Sequence, residues 1–214
     1  MDYLLIHGYG VGANYLNIHK AEGINGGFGA FDKLILEQNA IVFRWDIKRY
    51  FEYKTMFNPF NHLALYNQER SKAQLPETHL NLKLIIERYK PESIICHSVG
   101  SLLMTSFLKD NSLPSYVKNI VFIQADIPNN TQLPGQIKSL IKNKNLNITN
   151  LYCPWDQALL TTLPLHFTLK AGLVGYKNPL IKNIFFPLYK KTNLHTSSIN
   201  DPDLIKLLEK ILKK

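Results

Sequence analysis

The sequence predicts an α/β protein: a doubly wound, mostly parallel six-stranded sheet with helices on both faces. Three observations lead there. Six short apolar runs rich in β-branched and aromatic residues recur along the chain, as strands do. Stretches with helical periodicity alternate with them, the pattern of a parallel sheet covered on both sides. The chain has 214 residues, of which 45% are hydrophobic and 19% charged, enough apolar material for the core of one domain.

Taken in order, the first strand spans residues 3–6 and ends in His7-Gly8-Tyr9-Gly10. The second spans 40–45. After it, residues 46–72 carry many aromatics, among them Tyr50, Phe51, Tyr53, Phe57, Phe60 and Tyr66. They fit poorly into a minimal sheet. They read either as a lid over the strands' carboxyl ends or as packing against the sheet edge or a partner subunit. A helix over 79–90 places Leu82, Ile85, Ile86 and Tyr89 on one face, and Pro91 ends it. The third strand, 94–97, runs directly into a helix over 99–109. The fourth and fifth strands, 119–124 and 148–153, are joined by a helix over 134–143. A helix over 157–169 follows, overlapping a second candidate lid, 160–182, which is broken by Pro164, Gly172 and Gly175. The sixth strand spans 183–188. The last helix, 202–213, has Asp201 as N-cap and Pro202 at its first position, with Leu204, Leu207, Leu208 and Ile211 lining its core face.

The junction of the third strand and its helix carries the chemistry. Residues 94–103 read Ile-Ile-Cys-His-Ser-Val-Gly-Ser-Leu-Leu. An apolar strand turns sharply at Ser98 and continues as a helix, close to the pattern Gly-x-Ser-x-Gly with Cys96 in place of the first glycine. An acid, Asp156, follows the fifth strand, and His195 lies on a polar loop before the last helix. The order serine, acid, histidine, together with the opening His7-Gly8, resembles the α/β-hydrolase superfamily. The resemblance covers nearly the whole chain and is most specific at residues 3–10 and 94–103.

The resemblance implies a minimal hydrolase sheet of order 2-1-3-4-5-6 over a single domain, residues 1–214. It implies Ser98 as nucleophile, His195 as base and Asp156 as the acid that orients His195. Asp126, after the fourth strand, is the alternative acid. The oxyanion donors would be the backbone N–H groups of Tyr9 and Val99, with Gly8, Gly10 and Gly12 allowing close backbone approach. In the implied order the winding direction reverses between the first and third strands, where ligands bind in open parallel sheets. The expected function is a serine hydrolase acting on a small-molecule acyl substrate, a carboxyl ester or thioester. The alternative is a catalytically silent relative that serves as a binding or scaffold protein.

The remaining histidines are read as secondary. His7 fixes the shape of the loop after the first strand, His97 points away from Ser98, and His166 is structural or lid-borne, while His19, His62 and His79 have no motif around them.

Composition narrows the partners. No run of about 18 apolar residues marks a membrane span, and the first strand begins too early to leave room for a secretory leader. Cys96 and Cys153 are expected two strands apart, roughly 10 Å between Cα atoms, beyond disulfide reach. Both read as reduced core residues of a cytoplasmic protein. The net charge of +9 comes from 25 basic and 16 acidic residues, with lysines gathered late in the chain. It reads as solvated helix faces or as attraction to an anionic partner such as a lipid surface. No nucleic-acid motif is present. No short cysteine or histidine spacing suggests a metal, and no cofactor is implied. The run Gly8-Tyr9-Gly10-Val11-Gly12 lacks the third glycine of a dinucleotide loop, since Ala13 stands there.

Overall fold

A computed structural model describes residues 2–8, 28–45, 59–187, 195 and 198–212. The six strands are β1 (Tyr3–Ile6), β2 (Ala40–Phe43), β3 (Ser93–His97), β4 (Asn119–Ile123), β5 (Asn147–Tyr152) and β6 (Lys182–Phe185). They form one sheet of order β2-β1-β3-β4-β5-β6 in which every pairing is parallel. Among the described residues eight α-helices accompany it: α1 (Asp32–Leu36), α2 (Pro59–Lys72), α3 (Pro76–Tyr89), α4 (Val99–Asp110), α5 (Gly135–Lys142), α6 (Gln157–His166), α7 (Ala171–Val174) and α8 (Pro202–Leu212).

Side chains alternate along each strand, so the sheet feeds two cores. Leu4, Ile6, Ile94, Cys96, Ile120, Phe122 and Ile148 pack on one face with Tyr66 of α2, Leu82 and Ile86 of α3, Leu103 and Phe107 of α4 and Ile137 of α5. Leu5, Ile95, Val121, Ile123 and Leu151 pack on the other with Phe28, Phe31 and, from α8, Leu204 and Leu208. Each such side chain removed from water stabilises the fold by about 1.5–3 kcal/mol. Burial on both faces explains why β1, β3 and β4 read as continuous apolar runs.

Several boundaries differ from expectation. α3 starts three residues earlier than the periodicity indicated, because Pro76 is well suited to a first turn. It ends at Tyr89, with Lys90 left-handed (φ 46°) and Pro91 beyond. β2 stops at Phe43, and Trp45 turns inward to donate from Nε1 to the His7 carbonyl at 3.2 Å. α6 ends at His166, two turns after Leu159, with Phe167 left-handed. At the last helix, Asp201 caps as expected, its Oδ1 accepting from Asp203 N at 3.0 Å.

The two candidate lids take different forms. Of 46–72, residues 46–58 lie outside the described residues. The rest is α2, whose Tyr66 and Leu63 pack in the first core rather than above the sheet. In 160–182, α7 is woven into the sheet's carboxyl end. Gly172 N donates to Ala125 O at 2.9 Å and Gly172 O accepts from Cys153 N at 2.8 Å. A Cβ on Gly172 would lie 2.4 Å from the backbone of residues 124 and 125. The outer side of α6 and its flanks is apolar and exposed, with Trp155 at 53%, Leu160 at 42% and Phe167 at 92%.

Candidate active site

Ser98 stands where β3 becomes α4. Its backbone adopts φ 52°, ψ −122°, a conformation that costs a non-glycine residue about 1–3 kcal/mol. The neighbours hold it there. Ser98 N donates to Ile123 O at 3.0 Å, and Ser98 O accepts from Asp126 N at 3.2 Å. Gly100 lets α4 rest on β1: a Cβ there would approach Ile6 O to 2.5 Å and His7 O to 2.7 Å. Gly8 has the same part on the other side, where a Cβ would come within 2.7 Å of Ser98 Cβ.

Cys96 stands where the usual motif has glycine. It lies inside β3, in register with Ile6 and Phe122, and its side chain joins the first core. Burial pushes its thiol well up from the ordinary range. Cys96 and Cys153 are both free and buried.

Three side chains from distant parts of the chain meet at Ser98. His195 Nε2 is 2.8 Å from Ser98 Oγ, and His195 Nδ1 is 2.7 Å from Asp156 Oδ2. Asp156 is fully buried and His195 partly so, at 14% side-chain exposure. Asp156 has two further tasks. As N-cap of α6, its Oδ1 accepts from Leu159 N at 3.1 Å. Its Oδ2 also accepts from the side-chain amide of Gln124. Gln124, left-handed at φ 49° just past β4, carries no sequence signal, since nothing in Ile123-Gln124-Ala125 marks an amide aimed at the next strand's loop.

The loop after β1 is described through Gly8. His7 Nδ1 is 2.8 Å from Gly8 O and its ring stacks on Trp45, centroids 5.6 Å apart. Tyr9, Gly10 and Gly12 lie outside the described residues. Val99 is the first residue of α4, where a backbone N–H has no preceding helical carbonyl to bond.

Asp126 sits elsewhere than His195. Arg70 of α2 approaches Asp126 Oδ2 at 2.7 Å, Lys170 Nζ approaches Oδ1 at 2.8 Å, and the Tyr66 hydroxyl donates to Oδ2. Asp126 and Lys170 are fully buried. Burial lowers the Lys170 ammonium from its ordinary pKa, and burial with the adjacent Asp126 raises the Tyr66 hydroxyl. Both Asp126 oxygens are thus engaged by this cluster, and Asp156 is the carboxylate beside His195.

Of the other histidines, His97 is buried against residue 195. His79 is buried between Ala73 O, 3.1 Å from its Nε2, and the Phe107 ring. His62 falls in α2 and His166 closes α6, while His19 lies outside the described residues. Among the described residues no group of three or more His, Cys, Asp or Glu side chains is placed to hold a metal ion, and no helix is long and apolar enough to cross a membrane.

The fold and the site together define a doubly wound α/β protein with a serine, a histidine and an aspartate in contact at the strand-order reversal. No protein-family model matches the chain, and no curated protein matches it in sequence.

Proposed function

We propose that this chain is a serine hydrolase of α/β-hydrolase type that cleaves carboxyl esters or thioesters through an acyl-enzyme. The observation that carries the reading is the unbroken contact from Ser98 Oγ through the His195 imidazole to Asp156. A serine hydroxyl is a weak nucleophile and needs a base within hydrogen-bond reach.

The steps follow from the contacts. Ser98 Oγ attacks the acyl carbon as its proton passes to His195 Nε2. Asp156 accepts the Nδ1 proton, fixes the tautomer and stabilises the imidazolium. The tetrahedral oxyanion is held by the backbone N–H groups of Val99 and Tyr9. The carbon–heteroatom bond then breaks, and the alcohol or thiol leaves with the proton from His195. Water, deprotonated by His195, attacks the acyl-enzyme, and the acid departs as Ser98 recovers its proton. The strained turn at Ser98 supports the same reading, because such backbone cost is characteristic of functional sites.

A fluorophosphonate probe tests it. The expected result is covalent labelling at Ser98 with loss of fluoride, absent from Ser98→Ala. Folded wild-type protein that takes up no label is instead the silent relative, a binding protein on the same scaffold.

A further inference from the structure

The proposed chemistry leaves one buried imidazole beside the site unused. His97 ends β3 and is 2% exposed. Its Nε2 lies 3.0 Å from the backbone carbonyl oxygen of His195. A carbonyl only accepts, so Nε2 carries the proton and donates. The rings of His97 and His195 are 4.8 Å apart at 44°. Phe28 meets His97 edge-on at 6.5 Å. Gly8 makes room as well, since a Cβ there would reach 3.1 Å from His97 Nδ1. The dipeptide His97-Ser98 therefore grips residue 195 twice: Ser98 at its ring, His97 at its main chain.

We propose that His97 is a positioning residue for His195. Its hydrogen bond to the residue-195 carbonyl sets where that imidazole stands between Ser98 and Asp156. Strand and turn thereby couple the nucleophile's placement to the base's, because residues 97 and 98 share one peptide unit whose amide donates to Ile123 O of β4. The effect on rate rests on the hydrolase reading; the effect on the imidazole's placement does not. Charge is compatible with the role. Burial, then the neighbouring His195, holds the His97 pKa well below its ordinary 6.5, so His97 stays neutral when His195 takes up a proton.

Three variants of the whole chain test the proposal. In His97→Gln the amide nitrogen reaches the place of Nε2 and keeps the donor. In His97→Asn it falls short. In His97→Met the volume is filled without a donor. Two readouts are taken: the rate of fluorophosphonate labelling at Ser98, and the low-field proton NMR signal of the His195–Asp156 hydrogen bond, assigned by its loss in Asp156→Ala. His97→Gln is expected to label within about threefold of wild type and keep the signal. His97→Asn and His97→Met are expected to label about tenfold to hundredfold more slowly, the scale of a lost buried hydrogen bond, with the signal broadened. Wild-type rates and sharp signals in Asn and Met overturn the proposal, as does a Gln variant as impaired as Met. If Met fails to fold, the polar pair Asn and Gln decides alone. If wild-type protein takes no label, the hydrolase reading fails and the NMR signal still decides whether His97 positions the ring.

Discussion

Replacing Asp156 by asparagine separates the carboxylate's two tasks. As N-cap its Oδ1 accepts from Leu159 N, and asparagine caps a helix as well as aspartate does. With the cap kept, the new amide nitrogen stands where Oδ2 was, facing His195 Nδ1. That nitrogen donates, so Nδ1 must accept, and the imidazole proton moves to Nε2. Nε2 then points a hydrogen at Ser98 Oγ and has no lone pair to take a proton. Gln124, which donates to Oδ2 in the native protein, can turn its amide and accept instead, so the new amide of residue 156 and that of Gln124 still pair. The expected stability change is therefore under about 1 kcal/mol. The expected loss in labelling rate is about 10⁴-fold, or about 5 kcal/mol of transition-state stabilisation, as for tautomer inversion in a Ser-His-Asp site. Stopped-time labelling with a fluorophosphonate, alongside urea unfolding, measures both. A variant that folds normally and labels within tenfold of wild type refutes the argument that Asp156 sets the tautomer.

Other expectations follow from packing and charge. Gly100→Ala pushes a Cβ to 2.5 Å from a carbonyl of β1, a strand fixed by pairing on both sides. It should cost about 2–3 kcal/mol by overpacking, and an unchanged urea midpoint contradicts the stated geometry. Asp126→Ala leaves the Lys170 ammonium buried without its counter-charge, at a cost of about 3–5 kcal/mol. Adding Lys170→Met to that variant should recover part of the loss, and no recovery means the two groups do not act as a pair. His97 is held neutral well below its ordinary value of 6.5, whereas the unfolded chain takes up that proton. Stability contributed here is complete above pH 6.5 and falls as pH drops towards the folded pKa, by about 1.4 kcal/mol per unit at most. The urea midpoint of wild type should drop more between pH 7 and 5.5 than that of His97→Gln. Equal drops assign the acid sensitivity to other groups.

The centre of the sheet was legible because burial on both faces leaves β1, β3 and β4 as apolar runs that no loop interrupts. Ser98 was legible because strand, turn and helix are contiguous in sequence. The rest depended on contacts between distant segments. Asp126 and Asp156 each follow a strand, and local sequence does not separate them. Arg70 from α2 and Lys170 from the segment before α7 do, by engaging both oxygens of Asp126. α2 itself was obscured by aromatics that read as a possible lid, although Tyr66 turns into the core. The alternation of side chains along β3 sets His97 apart from its neighbours, but its contact with the residue-195 carbonyl joins positions 98 apart in the chain. Cys96 looked like a defect in the motif, yet the glycine that contact demands is Gly100, whose Cβ position is filled by β1.

The hydroxyl of Ser98 and the imidazole that meets it are separated by 97 positions. During synthesis, folding proceeds from the N-terminal side, so the ribosome releases β3 and its serine while the segment bearing His195 has yet to emerge. A nascent chain thus holds its serine without that imidazole until 97 further residues have been joined. Termination between the two residues leaves Ser98 without the imidazole it meets in the full structure.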